Sequence, residues 1–483
     1  MKILLVIPRR DFDRRYIFTK FPDELFTVAA VLEKAGHIVK IFDNNVDSRQ
    51  PQDFFSFHPD VIGFTVVTSY QITSAIAQSK EFKTLLPNVK IIWGHMHPSM
   101  MPEQTVIEPY IDYVAIGAGE YTLLELVHHL RGDGIKLSEI KGLVHKEGDK
   151  IIVNESRPFV KNLDELPDPA WHLVDVKKYW EMRLTTGRGC PWDCSFCSAQ
   201  AFHKGCLGEH SAERIIQQME KLQQEHGAKF IWFSGENFAF DQQRLKEFHA
   251  LYNRKKMKLK WCAEVSSMPP EENIALMAKS GCSKVKFCVE NGSQRILDLM
   301  NKPYKVEDIE KTFRLFIKHK IIPTVFVMYG LPTQTVGEFN QTHELLERLD
   351  NPPYMYMKFV PYPGARLFDF CVERRSVAPP TKLSDWADFP MLHATKINLS
   401  DVPQKTIDEA TIKFKRTFAV QRIKFSIKHN PSYFLKIFQD PVGFLRDFRN
   451  LFKYYIMVLM ESKLPIKAGN IRSQINPQEN PKA

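Results

Sequence analysis

At 483 residues the chain is too long for one ordinary core, so two or three domains are expected. Hydrophobic residues at 44% and charged residues at 25% are the balance of a folded protein, which excludes a disordered chain. The net charge of +10 suits an anionic partner, but the Lys and Arg surplus forms no clean stripe, which argues against nucleic acid.

The opening apolar run, KILLVIP, is too short for a secretory signal and no small-residue cleavage site follows it. No stretch reaches the length of a membrane span, so a cytoplasmic location is expected. After that first strand comes a helical pattern near 22–35, with Leu25, Val28, Ala29 and Leu32 on one face and Gly36 as its stop. HIVKIFD, DVIGFTVV, VKIIWG and IDYVAIG are further short apolar runs, with helical stretches between most of them. Continuous apolar strands alternating with helices predict an α/β domain with a doubly wound parallel sheet over residues 1–135. Ligands of such sheets bind outside the carboxyl ends of the strands, here the loops DNNVDS, TVVTSY, GHMHPSMMPE and GAGE. PRRDFD follows the first strand in place of a glycine-rich fingerprint, which makes NAD a poor expectation.

Residues 136–180 read as a connector with a small hairpin, GLVHKEGDKIIV, and then a proline-broken stretch. A second alternation fills 181–385. RLTTG, KFIWFSG, KLKWCAEVSS, KVKFCVENG, TVFVMYG and MKFVPYPG are six strand candidates separated by helical segments, which predicts a partial (βα)6 barrel. Residues 386–483 form a helical C-terminal region with a tail of disordered composition. Its aromatic and basic stretch around 425–470 is expected either to pack on the barrel or to lie on a membrane surface.

Between the first and second barrel strands stands GRGCPWDCSFCSA, which brings Cys190, Cys194 and Cys197 together. Eight cysteines in a reducing compartment argue against a disulfide framework. Structural zinc takes four ligands, usually as two close pairs, and no second pair follows; Cys206 is a fourth thiol of open role. Three thiolates on a 4Fe–4S cluster would leave one iron open to a substrate or cofactor. Cys262, Cys282 and Cys288 sit in or beside apolar strands, where core packing is expected.

CPWDCSFC resembles the CxxxCxxC motif of radical S-adenosylmethionine (SAM) enzymes, with Phe196 before the third cysteine as that family often has. FSGEN resembles the family's Gly-Gly-Glu motif, with Ser234 replacing the first glycine ahead of Gly235 and Glu236. VENGSQRILDLMNKPY resembles its ESGS segment, with Asn291 in place of a serine, and MYGLPTQT its glycine-containing loop at Gly330. The resemblance spans about 180–370 and implies Cys190, Cys194 and Cys197 as cluster ligands. It also implies SAM contacts at Phe196, Ser234, Gly235, Glu236 and Gly330, while Glu264 and Glu290, near strand ends that face the same site, are expected as further SAM contacts.

The first domain resembles the cobalamin-binding domain often fused to these enzymes, with GHMHP for GGxHP and GAGE for GEGE. That implies cobalamin contacts at Thr65, Ser69, Gly94, His95, His97, Gly117, Gly119 and Glu120. An Asp-x-His-x-x-Gly stretch is missing, so its histidine is not the lower ligand. The combined resemblance is to cobalamin-dependent radical SAM enzymes. It implies methylation of an unactivated carbon on a small-molecule substrate, lipid-like or a natural product, with an electron donor such as flavodoxin or ferredoxin. Cyclisation, rearrangement or carbon–carbon coupling are alternatives within the family, and an iron–sulfur or cobalamin sensor is the non-enzyme alternative. A methylthio-transferring enzyme is excluded, because no cysteine precedes Cys190.

Overall fold

The computed structural model describes residues 1–10, 21–235, 238–390, 393 and 396–429. Seven strands form the first sheet: β1 (Lys2–Ile7), β2 (Ile38–Asp43), β3 (Val61–Thr65), β4 (Lys90–Gly94), β5 (Tyr113–Ala115), β6 (Leu143–Glu147) and β7 (Lys150–Val153). Their order is β2-β1-β3-β4-β5-β6-β7. The first five are parallel, and β6 and β7 continue antiparallel as a hairpin on the β5 edge. All five residues of β3 are buried, as a strand covered by helices on both faces requires. The helices are α1 (Asp23–Lys34), α2 (Gln71–Leu85), α3 (Met96–Met100), α4 (Pro102–Val106) and α5 (Glu120–Arg131). The doubly wound domain is therefore present, and its strand order reverses between β1 and β3, where such sheets open a crevice.

The second half opens with β8 (Arg183–Thr185), β9 (Gly187–Gly189), α6 (Ala199–His203), β10 (Leu207–Glu209), α7 (Ala212–His226) and β11 (Phe230–Ser234). It continues through α8 (Gln242–Arg254), β12 (Lys260–Val265), α9 (Glu271–Lys279), β13 (Cys282–Glu290), α10 (Gln294–Leu299) and α11 (Val306–Lys318). It ends with β14 (Ile322–Tyr329), α12 (Val336–Arg348), β15 (Tyr354–Lys358), α13 (Arg366–Glu373) and α14 (Gln404–His429). Six strands make one parallel sheet in the order β15-β14-β13-β12-β11-β8, the partial barrel expected from their apolar runs. β9 and β10 form a separate antiparallel pair.

Burial alternates along the last two barrel strands. Val325, Val327, Tyr329, Tyr354 and Tyr356 are buried outward, where Tyr329 and Tyr356 meet Phe339 of α12 and Tyr354 and Tyr356 meet Phe414 of α14. Phe326, Met328, Met355 and Met357 take the other, inner face, since successive side chains of a strand point to opposite sides. Phe425 of α14 packs against Phe313, so residues 404–429 lie on the barrel. The aromatic-basic stretch from 430 onward lies outside the described residues. Among the described residues no helix is long and apolar enough to cross a membrane.

The two halves share their cores. One cluster joins Ile3, Leu25 and Leu126 to Leu184, Phe233 and Trp261; another joins Phe64 and Trp93 to Phe359, Phe368 and Trp386. Trp386 is fully buried and donates its indole N–H to Gln104 Oε1 at 2.6 Å. A shared apolar core of this kind resists the relative motion that separately cored domains show by default.

Candidate active site

β8 delivers the cysteine loop and β11 braces it. Thr186 N donates to Ser234 O at 2.7 Å, and the buried Arg244 guanidinium donates to Thr186 O while pairing with Glu209 of β10 at 2.5 Å. Gly189 has φ +85, and a Cβ there would run into the Cys206 carbonyl, so only glycine closes the β9–β10 pair. Beyond it Cys190 is buried, and Cys194 and Cys197 are half-buried. Cys197 N donates to Cys194 O at 3.2 Å, and Ala199 N donates to Cys197 Sγ at 3.4 Å. Hydrogen bonds to sulfur of this kind help set a cluster's potential.

The carboxyl end of α10 cradles the same loop. Ser195 N and Oγ donate to the Met300 and Leu299 carbonyls at 3.0 and 2.6 Å, and Leu367 N donates to Ser195 O at 2.7 Å. Asn301 and Arg366 both donate to Asp193 O, and Arg366 also pairs with the Asp193 carboxylate. Among the described residues no three His, Cys, Asp or Glu side chains converge tightly enough to share one ion. A four-iron cluster, larger than a single ion, does not need such convergence; three thiols on one pinned turn fit it better.

The SAM-side candidates divide. Phe196 lies beneath Lys302, whose Nζ sits 5.2 Å from the ring centre. Lys302 pairs with Glu290 at 2.8 Å, with side chains 2% and 8% exposed. Burial works against the Lys302 charge, but the Glu290 carboxylate together with Tyr304, Cys288 and Cys194 outweighs it and holds the ammonium well above its usual range. Glu290, at φ +63, is thus committed to an internal pair. Glu264 pairs with Lys286 at 3.1 Å on the barrel's inner face, and Lys286 also covers the Trp232 ring. The Ser234 hydroxyl is buried beside Asp23, whose carboxyl is pushed up by burial and then by Glu24. Gly235 has φ +139, and a Cβ would lie 2.8 Å from Thr186 Oγ1, so glycine keeps this strand end flush with the cysteine loop. Glu236 lies outside the described residues. Gly330 N donates to Gln334 Oε1 at 2.8 Å, and Asn291 spans from Ser293 N to Met328 O.

The first domain carries its candidate loops at the carboxyl ends of β3, β4 and β5. Thr65 ends β3 buried, and Ser69 Oγ accepts from Gln71 N at 3.2 Å. Gln71, which sequence alone does not single out, ties the loops together by accepting from Val67 N and donating to Pro8 O. His97 is fully buried, its Nδ1 3.0 Å from Thr68 Oγ1 and its Nε2 without a hydrogen-bond partner. Burial pushes its pKa down to about 3, so the imidazole is neutral. Gly94 ends β4, and His95 follows at φ +81. Ser99 Oγ donates to His95 O and accepts from Gly117 N, which joins 94–99 to 117–119. A Cβ at Gly117 or Gly119 would meet nothing within 4 Å. Glu120 is the exception, buried and paired with Arg188 at 2.6 Å.

The two sets of loops meet. The His95 ring lies 6.0 Å from Phe202 of α6, just after Cys197, and a Cβ at Gly364 would press on Met100 of α3. A cleft of about 380 Å³ between 174–177 and 225–227 includes none of these loops, whereas one of about 200 Å³ is lined by Asp43, Val46 and Asp47 of the DNNVDS loop and by residues of 173–179. Arg188, Arg244 and Lys302 are the site residues that carried no assigned role in the sequence. Only the position of Arg188 beside Cys190 hinted at one.

Comparison with known proteins agrees with this geometry. Residues 184–346 match the family model of the Radical SAM superfamily, and residues 22–127 match that of the B12 binding domain. The Uncharacterized methyltransferase PH0819 of Pyrococcus horikoshii is 32% identical, over 77% of this chain and 83% of its own length. The Cytidylyl-2-hydroxyethylphosphonate methyltransferase of Streptomyces wedmorensis is 25% identical over 87% and 90%. The radical S-adenosylmethionine methyltransferase TsrM of Kitasatospora setae, solved with cobalamin and a [4Fe-4S] cluster, shares the fold at TM-score 0.66. Its identity is 18%, over 80% of this chain and 81% of that one.

Proposed function

Because the chain belongs to the family of cobalamin-dependent radical SAM enzymes, whose cofactors are a 4Fe–4S cluster, SAM and cobalamin, we propose that it methylates an unactivated carbon of a small-molecule substrate. The observation that carries this reading is the contact of α3 with α6, which brings the candidate cobalamin loops against the cysteine loop. Cys190, Cys194 and Cys197 would hold the cluster. The Ser234–Glu236 strand end would hold the SAM amino acid part, and the loops at 65–69, 94–99 and 117–119 the corrin. When bound, these groups together supply hydrogen abstraction from carbon and a transferable methyl group.

The chain's own residues provide position and dryness. The buried Lys302–Glu290 pair lies against Phe196 and backs the cysteine loop. His97, neutral and held by Thr68, puts no charge against the corrin side. On the barrel's inner face, Arg183, Glu264 and Lys286 make one polar wall, while Phe326, Met328, Met355 and Met357 make an apolar one. Met357 is 48% exposed, and flexible thioether side chains adapt to irregular apolar shapes. This supports a substrate with an apolar body and a polar end, such as a lipid-like compound or natural product. An electron donor of the flavodoxin or ferredoxin kind would serve the cluster.

The test is to incubate the anaerobically purified protein with methyl-deuterated SAM, a reductant and small-molecule extracts of the source cells. A product in which one substrate hydrogen is replaced by an intact CD3 group supports the reading. A SAM-dependent product of unchanged or reduced mass points instead to cyclisation or coupling.

A further inference from the structure

Glu120 and Arg188 belong to different domains and to different loops, yet they form a buried ion pair. Arg188 Nη1 lies 2.6 Å from Glu120 Oε1, with side chains 18% and 4% exposed. Arg188 Nη2 donates to Thr27 Oγ1 at 2.7 Å, and Thr27 Oγ1 donates to Glu120 Oε1 at 3.1 Å. Neither end is loose. Arg188 is the middle residue of β9, clamped opposite Gly208 of β10 and two residues before Cys190. Glu120 opens α5 directly after Gly117–Gly119, and Gly117 is held by Ser99. A hydrogen-bonded and covalent path therefore runs from Ser99 through Gly117, Glu120 and Arg188 to Cys190.

Apolar packing already joins the two domains, and burying charges to do the same would add only cost. What an ion pair adds is direction, since a guanidinium meets a carboxylate in a narrow range of geometries. We propose that Arg188 and Glu120 are positioning residues: the pair fixes the cobalamin loop 117–120 relative to the cysteine loop and so sets the separation of the two metal centres. The inference rests on the reading of those loops given above. Glu120 then acts through Arg188 and does not itself contact cobalamin.

The test uses the full chain purified without oxygen from cobalamin-fed cells, with iron and cobalt counted per chain. In the cluster-reduced, cob(II)alamin state, the paramagnetic cluster should speed relaxation of the cobalt electron-spin signal, an effect that falls steeply with distance. Single substitutions strand a buried charge and can unfold the chain, so the decisive variant is R188M/E120M, which removes both charges. The expected result is wild-type iron and cobalt content with the relaxation enhancement lost. A double variant that holds both metals and relaxes like wild type overturns the proposal. Should it fail to hold them, R188K decides: it keeps the charge but loses the two-pronged grip, and unchanged relaxation there overturns the proposal as well. A wild-type chain lacking iron or cobalt would instead overturn the reading of the loops on which the inference stands.

Discussion

Cys190, Cys194 and Cys197 stand together on one pinned turn. Substituting any of them by Ala is expected to abolish SAM cleavage and lower iron content; wild-type cleavage in one variant removes that residue from the ligand set. The Lys302–Glu290 pair behind them makes a separate prediction. Removing one partner of a buried pair costs about 3–5 kcal/mol, because the other charge is left stranded. K302M should therefore lower unfolding stability by about that amount, and K302M/E290M should recover most of it. A denaturant titration showing K302M within about 0.5 kcal/mol of wild type would contradict this. His97 gives a pH prediction. Its folded pKa of about 3 lies below the ordinary 6.5, so the unfolded chain binds the extra proton between those values. Its contribution is fully present above about pH 6.5 and is lost as pH falls, by up to about 1.4 kcal/mol per unit. H97N should flatten the acid limb of the stability curve. At this scale the thiols were legible in sequence because their spacing is local. The partners of Glu290 and Glu120 were not, since they come from 12 and 68 positions away.

Among elements, the five parallel strands of the first sheet were readable as short apolar runs because burial on both faces writes itself into composition, and the six barrel strands because one fully buried face recurs along each. The helix at 23–34 was readable from its apolar stripe and its stop at Gly36. The β9–β10 pair was not, because three residues of Gly-Arg-Gly have no periodicity and their pairing is set by the turn that places Leu207 opposite Gly189. Pairing of the 143–153 hairpin with β5 was equally hidden, being a choice of tertiary partner. G189A tests the weight of the small pair: its Cβ would meet backbone, which cannot move aside as a side chain can. The expected outcome is a chain that folds its barrel, by circular dichroism, but holds less than half the wild-type iron; full iron content would contradict it.

Over the whole molecule, an open mixed sheet and a parallel sheet curved into a partial barrel share two hydrophobic cores and bring their loop ends together through α3 and α6. The alternation of strands and helices made both sheets legible in sequence. It could not show that they face each other, because the contacts that decide this join residues such as His95 and Phe202, or Trp93 and Trp386, across the full chain. The central claim is that the loops joined at this contact serve methyl transfer to carbon. Its most direct test is the fate of SAM itself, measured under reduction with the cobalamin-loaded protein and a substrate-bearing extract. The account predicts S-adenosylhomocysteine and 5′-deoxyadenosine in comparable amounts, one from methyl donation and one from radical cleavage. 5′-Deoxyadenosine alone would contradict it.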